Sequence, residues 1–272
     1  MNLNVEIKGQ GLPILCLHGH PGSNACLSVF TNHLSQNFQT IAPDLRGYGQ
    51  SRVNTAFQMS DHLLDLETVV DQLQLDQYMI LGWSLGGILG LELALRQPQR
   101  VTGLMLVASS AYPRGNHPPV FWQDYVYTGL ASLINLLFPG WHWNINTFGQ
   151  RSLFRYLIQQ HTTTAYRYLA QSAVPAYLQT SRYATQALNQ ALRTGYNRLS
   201  EVSNLSCPTL VLAGESDCHI TAKSSQATAT ALQNGEFLCY PNTAHLFPWE
   251  IPQQVLQDID HWLESSQVAP TV

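Results

Sequence analysis

The chain has 272 residues, 45% of them hydrophobic and 11% charged, with a formal net charge of −4. That length can bury a core without covalent staples, and that charge cannot coat a phosphate backbone, so wholesale disorder and nucleic-acid binding are excluded. Five cysteines, an odd set with no CxxC pair, fit neither a disulfide framework nor a zinc ribbon and read as a reducing compartment. MNLNVEIKGQ has no basic region followed by an apolar run, so no signal peptide is expected. The longest apolar stretch, Leu85 to Leu95, contains Glu92 and falls short of the ~18 residues a membrane span needs. The expectation is a soluble, cytoplasmic protein with no integral membrane segment.

Short β-rich apolar runs then alternate with helical periodicity, the pattern of a parallel sheet covered on both faces. Strands are expected at 13–17 (PILCL), 40–42, 78–81 and 101–107. Ser60 is expected to N-cap an amphipathic helix bearing Leu63, Leu66, Val69, Val70 and Leu73. A second helix should start near Ser84 and end before Pro98. After residue 200 the alternation resumes with strands at 209–213 and 237–240 and a helix near 221–232. The last helix opens at Pro252 with Val255, Leu256, Ile259, Trp262 and Leu263 on one face, and a frayed tail is expected after Ser265.

Residues 112–200 break this alternation, with helical stretches and no convincing strand. They hold seven arginines, no lysine and one acid, Asp124, a formal +6 against −10 for the rest of the chain. They also hold 16 of the 27 aromatic residues, so the insertion is both cationic and aromatic. The expected organisation is a core of residues 1–111 and 201–272 with a helical cap at 112–200.

Gly82-Trp83-Ser84-Leu85-Gly86-Gly87 follows an expected strand and opens an expected helix. Glycines there let neighbouring backbone approach a sharp turn that leaves the Ser84 hydroxyl exposed, while free N–H groups of the helix start face any oxyanion beside it. His18-Gly19-His20-Pro21-Gly22 follows the 13–17 strand, where the His20 N–H can pair with that of Leu85 to hold a tetrahedral oxyanion. A His-x-His metal site is the competing reading; no further ligand follows at suitable spacing, so no metal is expected and both imidazoles are assigned to holding the loop. Asp44-Leu45-Arg46-Gly47-Tyr48-Gly49-Gln50-Ser51 suits a tight loop, with Arg46 as a local partner for Asp44.

A serine hydroxyl needs a base, and the base a carboxylate to orient it. Asp217 follows the 209–213 strand and His245 the 237–240 strand, so Ser84, Asp217 and His245 all lie at C-terminal strand ends, where a parallel sheet places its site. Each has an ordinary alternative: Asp217 as a helix cap, Glu215 or Asp44 as the acid, His245 as one of ten histidines without a role.

Taken together, HisGlyHisProGly, AspLeuArgGlyTyrGlyGlnSer, GlyTrpSerLeuGlyGly, GlyGluSerAsp and AlaHis make the chain resemble the α/β-hydrolase superfamily over nearly its whole length. The resemblance implies an α/β-hydrolase fold, a mostly parallel sheet with helices on both faces and a helical cap insertion. It makes Ser84 the nucleophile, Asp217 the acid, His245 the base, and His20 and Leu85 the oxyanion donors, with no cofactor. Ser at 84 is not the Asp of dehalogenases and epoxide hydrolases. GlyTrpSerLeuGlyGly with an aromatic, Arg-bearing cap is similar to the pimeloyl-acyl carrier protein methyl ester carboxylesterases, and HisGlyHisProGly resembles the prolyl aminopeptidases.

Three functions follow as expectations: a serine carboxylesterase on a small-molecule or carrier-linked acyl ester, a prolyl-aminopeptidase-like or other amide hydrolase, and a non-catalytic ligand-binding hydrolase-like protein. Trp83 is expected beside the substrate. Arg151 and Arg155, four apart on a predicted helix, are expected to meet one anionic group, such as that of an acidic acyl carrier.

Overall fold

A computed structural model describes residues 1–266; the tail expected after Ser265 lies, from residue 267 onward, outside the described residues. Among the described residues seven strands form one sheet: β1 (Val5–Lys8), β2 (Pro13–Leu17), β3 (Gln39–Pro43), β4 (Tyr78–Trp83), β5 (Val101–Val107), β6 (Thr209–Gly214) and β7 (Gly235–Tyr240). Their order is β1-β3-β2-β4-β5-β6-β7, with β1 antiparallel to β3 and every other pair parallel. The fold class is α/β, as expected.

The central strands read as unbroken apolar runs because both sheet faces are buried and successive side chains alternate between them. On one face Ile14, Cys16, Met79, Leu81, Trp83, Met105 and Val107 pack with helices α1 (Ser28–Leu34) and, at the chain's end, Pro252–Ser265. On the other, Leu15, Leu17, Tyr78, Ile80, Leu104 and Leu106 pack with α2 (Met59–Gln72) and α3 (Leu85–Arg96). β1 was not foreseen: VEIK lies at the sheet edge and is only half-buried, so it lacks the apolar run that marks the inner strands.

α2 corrects one expectation. Its N-cap is Gln58, whose amide donates to Asp61 Oδ2 at 2.7 Å, so Ser60 sits inside the first turn and Asp61 closes the end. A second correction concerns Arg46: it donates to both carboxylate oxygens of Asp65 at 2.6 and 2.7 Å, not to Asp44. Asp44 is satisfied instead by the amides of Asn24 and Gln50 and the side chain of Asn4, at 2.7–2.9 Å, which folds the 44–51 loop under the β2 end.

Between β5 and β6 the described residues form no strand. The segment builds α4 (Trp122–Leu137), α5 (His142–Thr147), α6 (Thr163–Tyr168), α7 (Val174–Gln179) and α8 (Arg182–Arg193), joined by short 3₁₀ and π turns. Ala131, Ile145, Tyr166 and Leu169 continue the first apolar layer into this insertion. α9 (Ala222–Ala231), α10 (Phe247–Glu250) and α11 (Pro252–Ser265) complete the chain, with Val255, Ile259, Trp262 and Leu263 buried as the periodicity predicts.

The glycines of the β4–α3 turn have distinct duties. A Cβ on Gly86 would overlap the Leu17 carbonyl, and one on Gly82 would overlap Gly86 and Gly87 backbone. Gly86→Ala is therefore expected to cost about 1–3 kcal/mol, a melting temperature lower by roughly 2–12 °C in a calorimetric scan. Gly129, in the middle of α4 with nothing within 4 Å of an added Cβ, is the contrast: Gly129→Ala should raise stability by about 0.5–1 kcal/mol.

Candidate active site

β4 ends at Trp83 and α3 begins at Leu85, so one residue, Ser84, must reverse the chain; it does so at φ 54°, ψ −114°. The turn is fixed by the Ser84 amide on the Val107 carbonyl at 2.8 Å and by the Ser109 hydroxyl on the Ser84 carbonyl at 2.9 Å. This leaves the hydroxyl free to face the loop after β7. Ser84 Oγ is 3.1 Å from His245 Nε2, and His245 Nδ1 is 2.7 Å from Asp217 Oδ2. The structure thus brings Ser84, His245 and Asp217 into one hydrogen-bonded line.

Asp217 and His245 are both nearly buried. Burial pushes the Asp217 carboxyl up, but the charge and hydrogen bond of His245 and the amides of Ile220 and His219 outweigh it, leaving the group below its ordinary value. Those amides reach Asp217 Oδ1 at 3.1 and 2.8 Å while Oδ2 serves His245, so one carboxylate both closes the 217–220 turn and orients the imidazole. Thr221, not Asp217, caps α9. Glu215, the rival acid, is exposed and accepts from the Asn242 amide at 3.1 Å; Asp44 is occupied in the 44–51 loop.

The His18–Gly22 loop lies against the same serine: a Cβ on Gly19 would stand 3.2 Å from Ser84 Cβ. Among the described residues neither the His20 nor the Leu85 amide donates to a backbone carbonyl. Leu85 opens α3 and so has no acceptor within its helix. His18 is held by the Gly19 carbonyl at 2.8 Å and the Leu45 amide at 3.1 Å, and His20 Nδ1 lies 2.9 Å from the Tyr48 hydroxyl. Among the described residues neither imidazole belongs to a cluster of three potential metal ligands. A different set, His117, Cys218 and His219, offers ligand atoms within 4.8 Å of one another, but the Cys218 thiol already donates to the Tyr156 carbonyl at 3.3 Å.

Trp83 is buried behind His245, with ring centroids 5.9 Å apart, and meets Trp249 at 4.7 Å; Trp249 in turn stacks on Tyr168 at 4.1 Å. Trp83 therefore backs the imidazole as part of an aromatic wall. The arginine pair needs correction. Arg151 ends one 3₁₀ turn, Ser152 caps a second through the Phe154 amide, and Arg155 belongs to that second turn, so the two do not share a helix. Arg155 donates to Asp124 at 2.9 Å and to the Arg151 and Ser152 carbonyls at 2.7 and 3.0 Å, while Arg151 is exposed.

Sequence reasoning missed Glu250. Its buried carboxylate accepts from the Ala244 amide at 2.9 Å and from the Gln159 and Gln160 amides, tying the His245 loop to the insertion. Burial pushes this carboxyl up, against the pull of those three N–H groups. The one available signal was a lone carboxylate inside the apolar run Leu246–Ile251.

Below the site, His18 and His62 are fully buried, and burial lowers both from 6.5 to about 4, the charge of neighbouring His18 adding to the effect at His62. An unfolded imidazole protonates near 6.5 and the folded ones only near 4, so below pH 6.5 the unfolded chain gains protons that the folded chain cannot. Stability is therefore expected to fall as pH drops from about 6.5 to about 4, by on the order of 1 kcal/mol per pH unit for each imidazole. Among the described residues neither nitrogen of His62 has a hydrogen-bond partner. His62→Leu should leave stability at pH 7 unchanged or higher and flatten the slope, measured as urea midpoints from pH 7 to 4.5.

A family described as the alpha/beta hydrolase fold matches residues 13–252. The chain is 26% identical to the pimeloyl-[acyl-carrier protein] methyl ester esterase of Nitrosomonas europaea, covering 95% of this chain and 98% of that one. Among solved structures it is similar to a thermophilic esterase from Thermogutta terrifontis, at 25% identity and TM-score 0.72 over 97% of this chain and 93% of that one. An enol-lactonase from Burkholderia xenovorans, 17% identical with TM-score 0.73 over 96% of both chains, shares the fold.

Proposed function

Because the chain belongs to the alpha/beta hydrolase fold family, we propose that it is a serine carboxylesterase that cleaves an acyl ester through an acyl-enzyme on Ser84. The observation that carries this reading is the continuous line from Ser84 Oγ to His245 Nε2 at 3.1 Å and from His245 Nδ1 to Asp217 at 2.7 Å. The names of the Nitrosomonas europaea and Thermogutta terrifontis proteins, both esterases, support it.

In this reading His245 Nε2 takes the Ser84 proton as Oγ bonds to the ester carbonyl carbon, and Asp217 holds the Nδ1–H tautomer and the imidazolium that results. The amides of His20 and Leu85 receive the oxyanion. Collapse of the tetrahedral intermediate breaks the bond to the alcohol oxygen, which leaves with the proton from His245. Water, deprotonated by His245, then attacks the acyl carbonyl, and Ser84 recovers its proton as the acid departs.

In this reading the described residues of 1–111 and 201–272 form the catalytic core, and 112–200 is the cap that shapes the acyl pocket. With an odd set of five cysteines and no CxxC pair, the same reading places the protein in a reducing cytoplasm. The +6 cap favours an anionic substrate or one on an acidic acyl carrier, with exposed Arg151 the contact and Arg155 its support. The aminopeptidase alternative loses ground on one observation: Asp124, the insertion's only acid, is spent on Arg155 and the Phe121 amide, leaving no cap carboxylate for a substrate ammonium.

Ser84→Ala should abolish turnover with the melting curve unchanged, and a fluorophosphonate should label Ser84 alone by mass spectrometry; an adduct elsewhere overturns the assignment. Asp217→Asn is expected to lower kcat by about 10⁴-fold, with Glu215→Gln nearly inert. Arg151→Gln should lower kcat/KM for an anionic ester and spare a neutral ester of equal acyl length; an equal effect on both removes the cap from substrate recognition.

A further inference from the structure

α4 is folded inside out. Its buried positions are Asp124, Ala131 and Asn135, and each is fastened by hydrogen bonds. Asp124 accepts from the Phe121 amide at 2.8 Å and from Arg155 at 2.9 Å; the Ala131 carbonyl accepts from Asn144 at 2.9 Å. Asn135 donates to the Tyr166 carbonyl at 2.7 Å and accepts from the Gly140 amide at 2.9 Å. On the opposite side Trp122 is 71% exposed, Tyr125 64%, Leu133 60% and Leu137 68%. At 100° per residue the exposed apolar positions occupy an arc of roughly 140°, with the buried positions opposite. Rotating the helix to hide its apolar face would break all of those polar contacts.

The apolar face continues beyond the helix. Phe138, Trp141 and Trp143 are each about half exposed or more, and their rings follow one another at 5.5 and 5.0 Å before Trp143 meets Phe148 at 5.6 Å. A contiguous exposed surface of this kind has a partner.

We propose that this face seats the protein on an anionic lipid surface, with α4 lying flat and its Trp, Tyr and Leu side chains entering the headgroup–acyl boundary. Charge selects this occupant. From Val120 to Trp143 the only acid or Lys/Arg is buried, paired Asp124, whereas the rest of the insertion carries exposed arginines, Arg151 and Arg167 among them. The Arg167 stem lies beside buried Gly140, the link between Phe138 and Trp141 of the face, its Cγ 3.2 Å from the place of a Cβ there. An exposed face rich in Trp, Tyr and Leu enters the headgroup–acyl boundary, while arginine elsewhere on the insertion meets anionic headgroups. A second copy would set two +6 insertions against each other, and an acidic protein read by arginine would require cations within the contact face. Spanning is excluded for α4: it has 16 residues, and among the described residues no helix is long and apolar enough to cross a membrane.

The test is independent of turnover. The full chain is sedimented with sucrose-loaded vesicles of phosphatidylcholine, with and without phosphatidylglycerol. Binding is expected at least tenfold tighter on the phosphatidylglycerol vesicles, falling with added salt and with Arg167→Gln. The triple change Trp122→Ser, Leu133→Ser, Leu137→Ser touches only exposed positions, so circular dichroism and hydrolysis of a water-soluble ester should be retained while vesicle binding falls at least tenfold. Vesicle binding that survives the triple change overturns the proposal. So does absence of vesicle binding, whether the face is instead covered by a second copy, seen as a dimer that the triple change dissociates, or by an acidic carrier protein that the triple change releases.

Discussion

The backbone of Ser84 stands at φ 54°, a conformation that costs a non-glycine residue about 1–3 kcal/mol, and the surroundings are built to keep it there. Its amide and carbonyl are both engaged, by Val107 and by Ser109 and Gly87, so relaxing the turn would forfeit several buried hydrogen bonds. Gly82, Gly86 and Gly87 allow β2, β4 and α3 to close around it at distances no side chain would permit. The hydroxyl is consequently aimed by the packing of the sheet and depends little on its own rotamer preference. Every other group at the proposed centre is arranged relative to that fixed point.

The base is positioned by a different device. His245 lies in a loop anchored by backbone bonds on either side, the Ser216 amide on the Thr243 carbonyl at 2.8 Å and the Leu246 amide on the Leu157 carbonyl at 2.9 Å, and carboxylates on two sides complete its order. Asp217 holds the imidazole at Nδ1, and Glu250 holds the Ala244 amide immediately before it. Behind them Trp83, Trp249 and Tyr168 form an apolar wall that excludes water from one side of the ring. In such surroundings a hydrogen bond to a charged group is worth more than at the surface.

The inner strands were legible because burial on both faces leaves an apolar run, and the serine turn because steric demand writes its glycines locally. β1 was not, since an edge strand half open to solvent carries Glu6 and Lys8 among its four residues. Glu250 was illegible for another reason: its partners at 159 and 160 are about ninety positions away, and no local pattern announces them. The spacing of Arg151 and Arg155 presumed one continuous helix, whereas Ser152 restarts the chain in a new turn. α4 shows how periodicity can reveal a face without fixing its sense, because hydrogen bonding, not apolarity, decided which side turned inward.

The stitching around residues 156–160 bears on how the molecule becomes competent. Cys218 reaches the Tyr156 carbonyl, the Leu246 amide reaches the Leu157 carbonyl, and Glu250 and the Asn242 carbonyl hold Gln159 and Gln160. The loops bearing Asp217 and His245 are thus clasped by a segment that belongs to the insertion. A chain with its sheet formed but this clasp undone would own all three residues of the proposed triad and lack their alignment. The insertion is in that sense a template for the proposed centre, and changes to it that loosen the clasp would be felt in turnover long before they were felt in the sheet.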